Sequence, residues 1–186
     1  MRLPYIKHCK HKTVCKSAKR FAPYVTTFLL LCVCVVPITT EAAQQTSTNW
    51  QLSPSTSAGD GSLTLTIRAE NEVHGWMKTS VPILTIHCKN GNAELFVETG
   101  MALEVTMVDM QYVRLQLDDN KPYAQKWHEA TNATVWARHA PSLIKQLAQS
   151  KKFIFEFTPF SSLPAQAEFN VVGLSAFLPK LSKVCW

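Results

Sequence analysis

The sequence predicts an α+β domain dominated by β-strands, with an antiparallel sheet or sandwich of about seven strands and two short helices near the C-terminus. Three observations lead to this prediction. Several short segments place apolar residues at every second position, which is the period of a half-buried strand. Turn residues such as Asn90-Gly91 separate these segments by loops of hairpin length. Apolar residues recur at helical spacing only late in the chain.

The first clear strand is 63–67, where Leu63, Leu65 and Ile67 alternate with polar residues. A helix is predicted from Pro141, a residue favoured in the first helical turn, and a second follows Gly173. Proline is costly inside a helix, so Pro179 predicts that this last segment restarts there. The remaining strand candidates are 81–88, 93–99, 103–107, 113–117, 123–128, 133–137, 153–157 and 167–171.

Charge is distributed unevenly along the 186 residues, whose formal net charge is +6. Residues 1–42 contain seven of the 19 Lys and Arg residues but one of the 13 acidic residues. Residues 43–186 are therefore neutral overall. A neutral domain disfavours nucleic acid as a partner, because such binding depends on cationic contacts with phosphates.

The first 42 residues have the parts of a secretory signal peptide. A basic stretch ends at Lys19-Arg20, the uncharged segment 21–40 follows, and Thr40-Glu41-Ala42 offers small residues for cleavage. The alternative is an uncleaved membrane anchor, since about 20 uncharged residues just span a bilayer. Either reading takes the domain out of the cytoplasm, and we expect a periplasmic location. Residues 43–61, rich in Ser, Thr and Gln, are expected to form a flexible tether to a single β-rich domain at 62–186.

Cys88 and Cys185 are the two cysteines that remain after cleavage of the leader. Two cysteines in an exported domain predict one disulfide, and both lie on the apolar side of their predicted elements. In the alternative, Cys88 is a nucleophile assisted by His87. Neighbouring strand residues point to opposite faces, which disfavours that pair. The other four cysteines are in the leader: Cys9, Cys15, Cys32 and Cys34.

The sequence contains no Gly-rich phosphate loop, no Cys-x-x-Cys pair, no His-Glu-x-x-His and no Gly-x-Ser-x-Gly motif. We therefore expect a protein that is not an enzyme and uses no cofactor or metal. His128-Glu129 is the closest acid–base pair, and with Asp118 it suggests an alternative, a small peptidoglycan-directed hydrolase. The simpler interpretation is solvated polar residues at the end of a strand. Asp118-Asp119-Asn120 offers oxygen ligands for calcium but lacks the twelve-residue calcium loop, and is more simply a turn.

Tryptophans supply the candidate interface residues. Trp76, Trp127 and Trp136 are typical of a small β-domain core, but aromatic residues on loops or sheet faces also anchor partners. Trp76 is the best candidate for an exposed position, because residues 71–79 lack the strand period. Trp127 and the adjacent His128 complete the set of candidate interface residues.

An ordered set of residues between positions 50 and 186 resembles the VasI/TagO-like accessory proteins of type VI secretion. The resemblance implies a periplasmic or envelope-facing accessory domain without enzymatic activity, whose partners are envelope or secretion-system proteins. Similar domains also occur in phage-related settings, which leaves a phage-borne envelope domain as an alternative. The set comprises Trp50, Asp60-Gly61-Ser62, 82–88 ending in Cys88, 114–118, Trp127, the helix from Pro141, 169–174 and the terminal Cys185-Trp186.

Overall fold

The computed structural model describes residues 48–54, 61–104, 110–131 and 133–186. The chain divides into two compact units, Met1–Ala42 and Ala43–Trp186, and every described residue belongs to the second. The predicted signal peptide, with its alternative as an anchor, lies outside the described residues. None of the helices within the described ranges is long and apolar enough to cross a bilayer.

The described part of the chain is dominated by antiparallel β-structure. It contains eleven strands, two α-helices and one 3₁₀ helix at Leu174–Phe177. The strands are β1 Gln51–Pro54, β2 Leu63–Arg68, β3 Val73–His74, β4 Thr79–Ser80, β5 Ile83–Lys89, β6 Asn92–Glu98, β7 Met110–Leu117, β8 Tyr123–Thr131, β9 Thr134–Trp136, β10 Lys152–Phe157 and β11 Ala165–Asn170. The α-helices are α1 Ala140–Leu147 and α2 Leu178–Cys185.

Nine of these strands form one sheet in the order β1-β2-β5-β6-β9-β8-β7-β10-β11, and β3 and β4 form a separate pair. Every pairing is antiparallel, which confirms the predicted β-dominated antiparallel fold. The predicted number of about seven strands is wrong. The strands β3 and β4 have two residues each, too few to show a period, and β1 lies in a polar segment.

The β5–β6 hairpin shows how a local signal sets the register. Asn90 and Gly91 have φ values of 51° and 77°, as the two central residues of a tight hairpin turn require. Lys89 consequently pairs with Asn92, and Cys88 pairs with Ala93. This register directs Leu84, Ile86 and Cys88 to the buried face of the sheet.

The segment that follows β2 covers the outer edge of β11, so that this last strand is not an open edge. The Glu70 N–H donates to the Glu168 carbonyl oxygen at 2.7 Å. The Asn71 amide donates to the Gln166 carbonyl at 2.8 Å and accepts from the Glu168 N–H at 2.8 Å. The Asn71 side chain thus pairs with the backbone of β11 much as a neighbouring strand would, which protects an edge prone to aggregation.

Part of the segment expected to be a flexible tether belongs to the sheet. Trp50 is buried, and its indole N–H donates to the Val171 carbonyl at 3.3 Å. The following strand, β1, pairs with β2 along its whole length. The domain therefore begins before residue 62. Residues 43–47 and 55–60 of the expected tether lie outside the described residues.

Both predicted helices are present. Helix α1 begins at Ala140, has Pro141 in its first turn, and packs Leu143, Ile144 and Leu147 into the core beside β6. The C-terminal segment forms a 3₁₀ helix and then α2, with Pro179 in the first turn of α2. This confirms the predicted restart at Pro179. A proline in the first turn breaks no helical hydrogen bond, so a new helix can begin there.

A disulfide joins Cys88 of β5 to Cys185 at the end of α2, with 5.0 Å between the Cα atoms. This confirms the predicted disulfide. It also rules out Cys88 as a free nucleophile in this structure. His87 points to the other face, where its Nδ1 lies 2.9 Å from the Thr64 hydroxyl. The bond fixes the C-terminal helix against β5 across a sequence separation of 97 residues.

Candidate functional site

The turn between β3 and β4 projects two large apolar side chains into solvent. The Gly75 N–H donates to the Lys78 carbonyl at 2.9 Å, so the backbone reverses at Trp76 and Met77. Trp76 is 68% exposed and Met77 is 83% exposed. The expectation that Trp76 lies at the surface is confirmed, and the reason is local: the two residues that occupy the tip of a short hairpin have no sheet beneath them.

The loop between β10 and β11, residues 158–164, projects a second pair. Phe160 is 46% exposed and Leu163 is 83% exposed. The backbone of the loop is nevertheless fixed, because the Phe160 N–H donates to the Ala102 carbonyl at 2.9 Å and Leu103 forms a bridge with the buried Pro159. Leu103 was predicted to start a strand at 103–107; residues 105–109 lie outside the described residues.

A groove of 490 Å³ opens between these two loops. Buried Met101 forms part of its floor, and a Cβ atom at Gly75 would lie 2.9 Å from the Met101 sulfur. Glycine at position 75 therefore allows the hairpin to sit directly on the core. We call the four exposed side chains of these two loops, Trp76, Met77, Phe160 and Leu163, the apolar patch; Leu163 shares the loop of Phe160 but does not line the groove. The groove is lined by Gly75, Trp76, Met77, Lys78, Gly100, Met101, Ala102, Ala133, Pro159 and Phe160.

Trp127, the second candidate interface residue, lies in the core, so its assignment to an interface is wrong. Its side chain is fully buried, and its ring centroid lies 5.1 Å from that of Phe155. Its indole N–H donates to the Gln125 side-chain oxygen at 3.0 Å. A buried tryptophan with a satisfied N–H is a packing residue and is not available to a partner.

His128 and Glu129 lie next to each other in β8 but point to opposite faces of the sheet. His128 is exposed, in register with Trp136 of β9 and Met110 of β7. The Glu129 carboxylate lies on the other side, where it accepts a hydrogen bond of 2.6 Å from the buried Gln111 amide. The two groups therefore do not form an acid–base pair.

Asp118, the third residue of the hydrolase alternative, is far from both. His128 pairs with the first residue of β7, and Asp118 follows the last. At about 3.3 Å per residue, β7 separates the two positions by roughly 25 Å. The structure thus does not bring His128, Glu129 and Asp118 together, and the catalytic arrangement of this alternative is wrong.

The Asp118 carboxylate has a structural role. Its Oδ1 accepts the backbone N–H of Lys151 at 2.8 Å and of Lys152 at 2.9 Å, which ties the end of β7 to the start of β10. These hydrogen bonds, led by that of Lys152, lower the pKa of Asp118 below its ordinary value. The neighbouring Asn120 amide donates to the Leu117 carbonyl at 2.9 Å. The segment is therefore a capped turn, as its simpler interpretation held.

Within 48–54, 61–104, 110–131 and 133–186, no three His, Cys, Asp or Glu side chains come together to hold a metal ion. A second groove of 240 Å³ is more polar and lies between β8 and α1, where it is lined by Tyr123, Gln125, Ala137, His139, Ser142, Leu143 and Gln146. His128 lines neither this groove nor the one beside Trp76.

Sequence reasoning missed three of the four members of the apolar patch. Met77, Phe160 and Leu163 had a detectable signal, since each is a large apolar residue in a segment without strand or helical period.

Trp136, the third tryptophan considered from the sequence, lies in a different environment. Its ring stacks on Phe96 with 4.4 Å between the centroids, and its indole N–H is buried without a hydrogen-bond partner.

Comparison with protein-family models and with curated proteins found no match for this chain. Among solved structures, the chain is similar to invasion associated protein B from Bartonella henselae. The two share 14% sequence identity and a TM-score of 0.50, over 72% of this chain and 91% of that one. At this identity the likeness concerns the fold alone.

Proposed function

We propose that this chain is an exported, non-catalytic interaction domain of the bacterial cell envelope, accessory to type VI secretion. The apolar patch is the observation that carries the proposal. Trp76, Met77 and Phe160 leave large apolar surfaces in water beside a groove, and Leu163 is exposed on the same loop as Phe160. Clustered exposure of this kind is typical of an interaction site.

Export is supported by the disulfide and by the distribution of charge. Disulfides persist in oxidising compartments such as the periplasm and are rare in the cytosol. The Cys88–Cys185 bond is therefore in keeping with a domain that works outside the cytoplasm. Residues 1–42, a basic stretch followed by an uncharged one, have the parts of the signal peptide that export requires.

Two observations favour contact over catalysis. Of the candidate hydrolase residues, His128 and Glu129 point to opposite faces of the sheet, and Asp118 lies at the other end of β7 from both. Glu129 and Asp118 are also already engaged, by the Gln111 amide and by backbone N–H groups. The assignment to type VI secretion rests on the ordered resemblance to VasI/TagO-like proteins between Trp50 and the terminal Cys185-Trp186.

Complementation of a strain that lacks the gene tests the proposal. We expect Trp76→Ser to lower secretion of the tube protein, and killing of competitor cells, by about tenfold or more, as for an exposed aromatic anchor. His128→Ala is the matched control and should restore both to the wild-type level. Loss of both readouts in His128→Ala, at normal abundance and with Trp76→Ser fully active, would contradict the proposal and favour an enzyme.

A further inference from the structure

Resting on the proposal that the apolar patch is the docking surface, we infer that its partner is the surface of a lipid bilayer containing anionic lipid. The shape of the patch is the first reason. Trp76 and Met77 occupy the tip of one loop, and Phe160 and Leu163 project from its neighbour. Side chains that protrude in this way can enter the boundary between headgroups and acyl chains without any rearrangement of the fold.

Part of the backbone of these two loops is paired within the protein. Gly75 bonds to Lys78, Phe160 bonds to Ala102, and the Ser162 N–H donates to the Pro159 carbonyl at 3.2 Å. Unpaired backbone groups are expensive in an apolar environment. These three hydrogen bonds reduce the number of backbone groups that shallow insertion would leave without a partner.

The charge of the two loops fits the same partner. The loops 75–78 and 158–164 contain a single charged residue, Lys78, directly after the exposed Trp76-Met77 pair. Neither loop contains a carboxylate that insertion would bury. A lysine stem lies along apolar surface while its ammonium reaches the phosphates, and each such cation strengthens attraction to anionic lipid. Tryptophan is the residue type most typical of this interface.

The groove has few groups that would orient a hydrophilic ligand. Its polar side-chain atoms are the Lys78 ammonium and the Trp76 indole N–H; every other lining side chain is apolar or absent. A glycan strand needs several hydrogen-bond donors and acceptors at defined positions. The lining therefore favours acyl chains over peptidoglycan. The competing partner is an apolar protein surface, and vesicle binding distinguishes a bilayer from such a protein.

The test is sedimentation of the purified exported protein with vesicles of phosphatidylethanolamine and phosphatidylglycerol. We expect the wild type to bind and the double variant Trp76→Ser/Met77→Ser to bind about tenfold or more weakly, because it loses the largest inserted surface. Lys78→Gln should weaken binding at low salt and have little effect at high salt, where the charge is screened. Tyr112→Ser is the control: Tyr112 is 64% exposed on β7, outside both loops, and its loss should leave binding unchanged.

The outcomes also separate this inference from the proposed function. No binding by the wild type, or equal binding by wild type and double variant with unchanged thermal unfolding, overturns the bilayer inference. If Trp76→Ser still abolishes activity in that case, the patch binds a protein and the proposed function stands. Patch-dependent vesicle binding together with full activity of Trp76→Ser would instead overturn the role of the patch in the proposed function.

Discussion

Trp76, Trp127 and Trp136 show how position in the fold decides what one residue type does. Trp76 occupies a hairpin tip and is mostly exposed. Trp127 fills the core and donates to Gln125, whereas Trp136 stacks on Phe96 with a buried N–H that has no acceptor. A buried unpaired N–H lowers stability, because it has lost its water without gaining a partner.

This contrast predicts opposite effects of one substitution. Trp127→Phe should lower the free energy of unfolding by at least about 1 kcal/mol, since it removes a hydrogen bond and leaves a cavity. Trp136→Phe keeps an aromatic ring against Phe96 and removes the unpaired N–H, so stability should be unchanged or higher. Urea unfolding of the two variants beside the wild type is the measurement. A larger loss for Trp136→Phe than for Trp127→Phe would contradict this account.

The sequence could not place Trp127, because both faces of β8 read as polar. Gln125, Trp127 and Glu129 share one face, and Lys126 and His128 share the other. The polar side chains that share the inward face of β8 with Trp127 are hydrogen-bonded, which compensates for their loss of water. Gln125 accepts a hydrogen bond from Trp127, and Glu129 accepts one from Gln111. The spacing of apolar residues along a sequence indicates which apolar side chains are buried. It does not reveal polar side chains that can face inward because they form hydrogen bonds with one another.

At the scale of elements, most strands of the large sheet and both helices were predictable, whereas β1 and the two-residue strands β3 and β4 were not. The strands β2, β5, β7 and β10, the turn at Asn90-Gly91 and both helices follow from local pattern. The strand β1 forms because β2 offers it a partner, which local pattern does not reveal. The closure of the sheet by Asn71 depends likewise on a residue far away in sequence, 95 positions from Gln166.

The disulfide is the element-scale feature with the clearest consequence. Cys88→Ser or Cys185→Ser should lower stability by about 4–5 kcal/mol in the chain-entropy model, since the bond closes a loop of 97 residues. The yield of exported protein should fall sharply. Cys9→Ser and Cys15→Ser, both in the leader, are the matched controls and should export normally. Equal yields from all four variants would show that the bond does not stabilise the domain.

At the scale of the whole molecule, the basic segment 1–42 precedes a neutral segment that forms a disulfide-bonded β-domain. Under the proposed function, the basic segment serves export and the domain acts through the apolar patch. The fold, shared with the Bartonella protein, does not itself name a partner, because one fold supports many functions. The proposed function therefore depends on the surface at Trp76, and first on whether the domain reaches the envelope.

Mass spectrometry of the protein from a periplasmic extract, with and without reductant and alkylation, tests that central claim most directly. We predict a chain that starts near Ala43 and is lighter than its reduced form by the mass of two hydrogens, with Cys88 and Cys185 alkylated only after reduction. Recovery of the full-length chain from the cytoplasm, with both of these thiols free, would contradict the account.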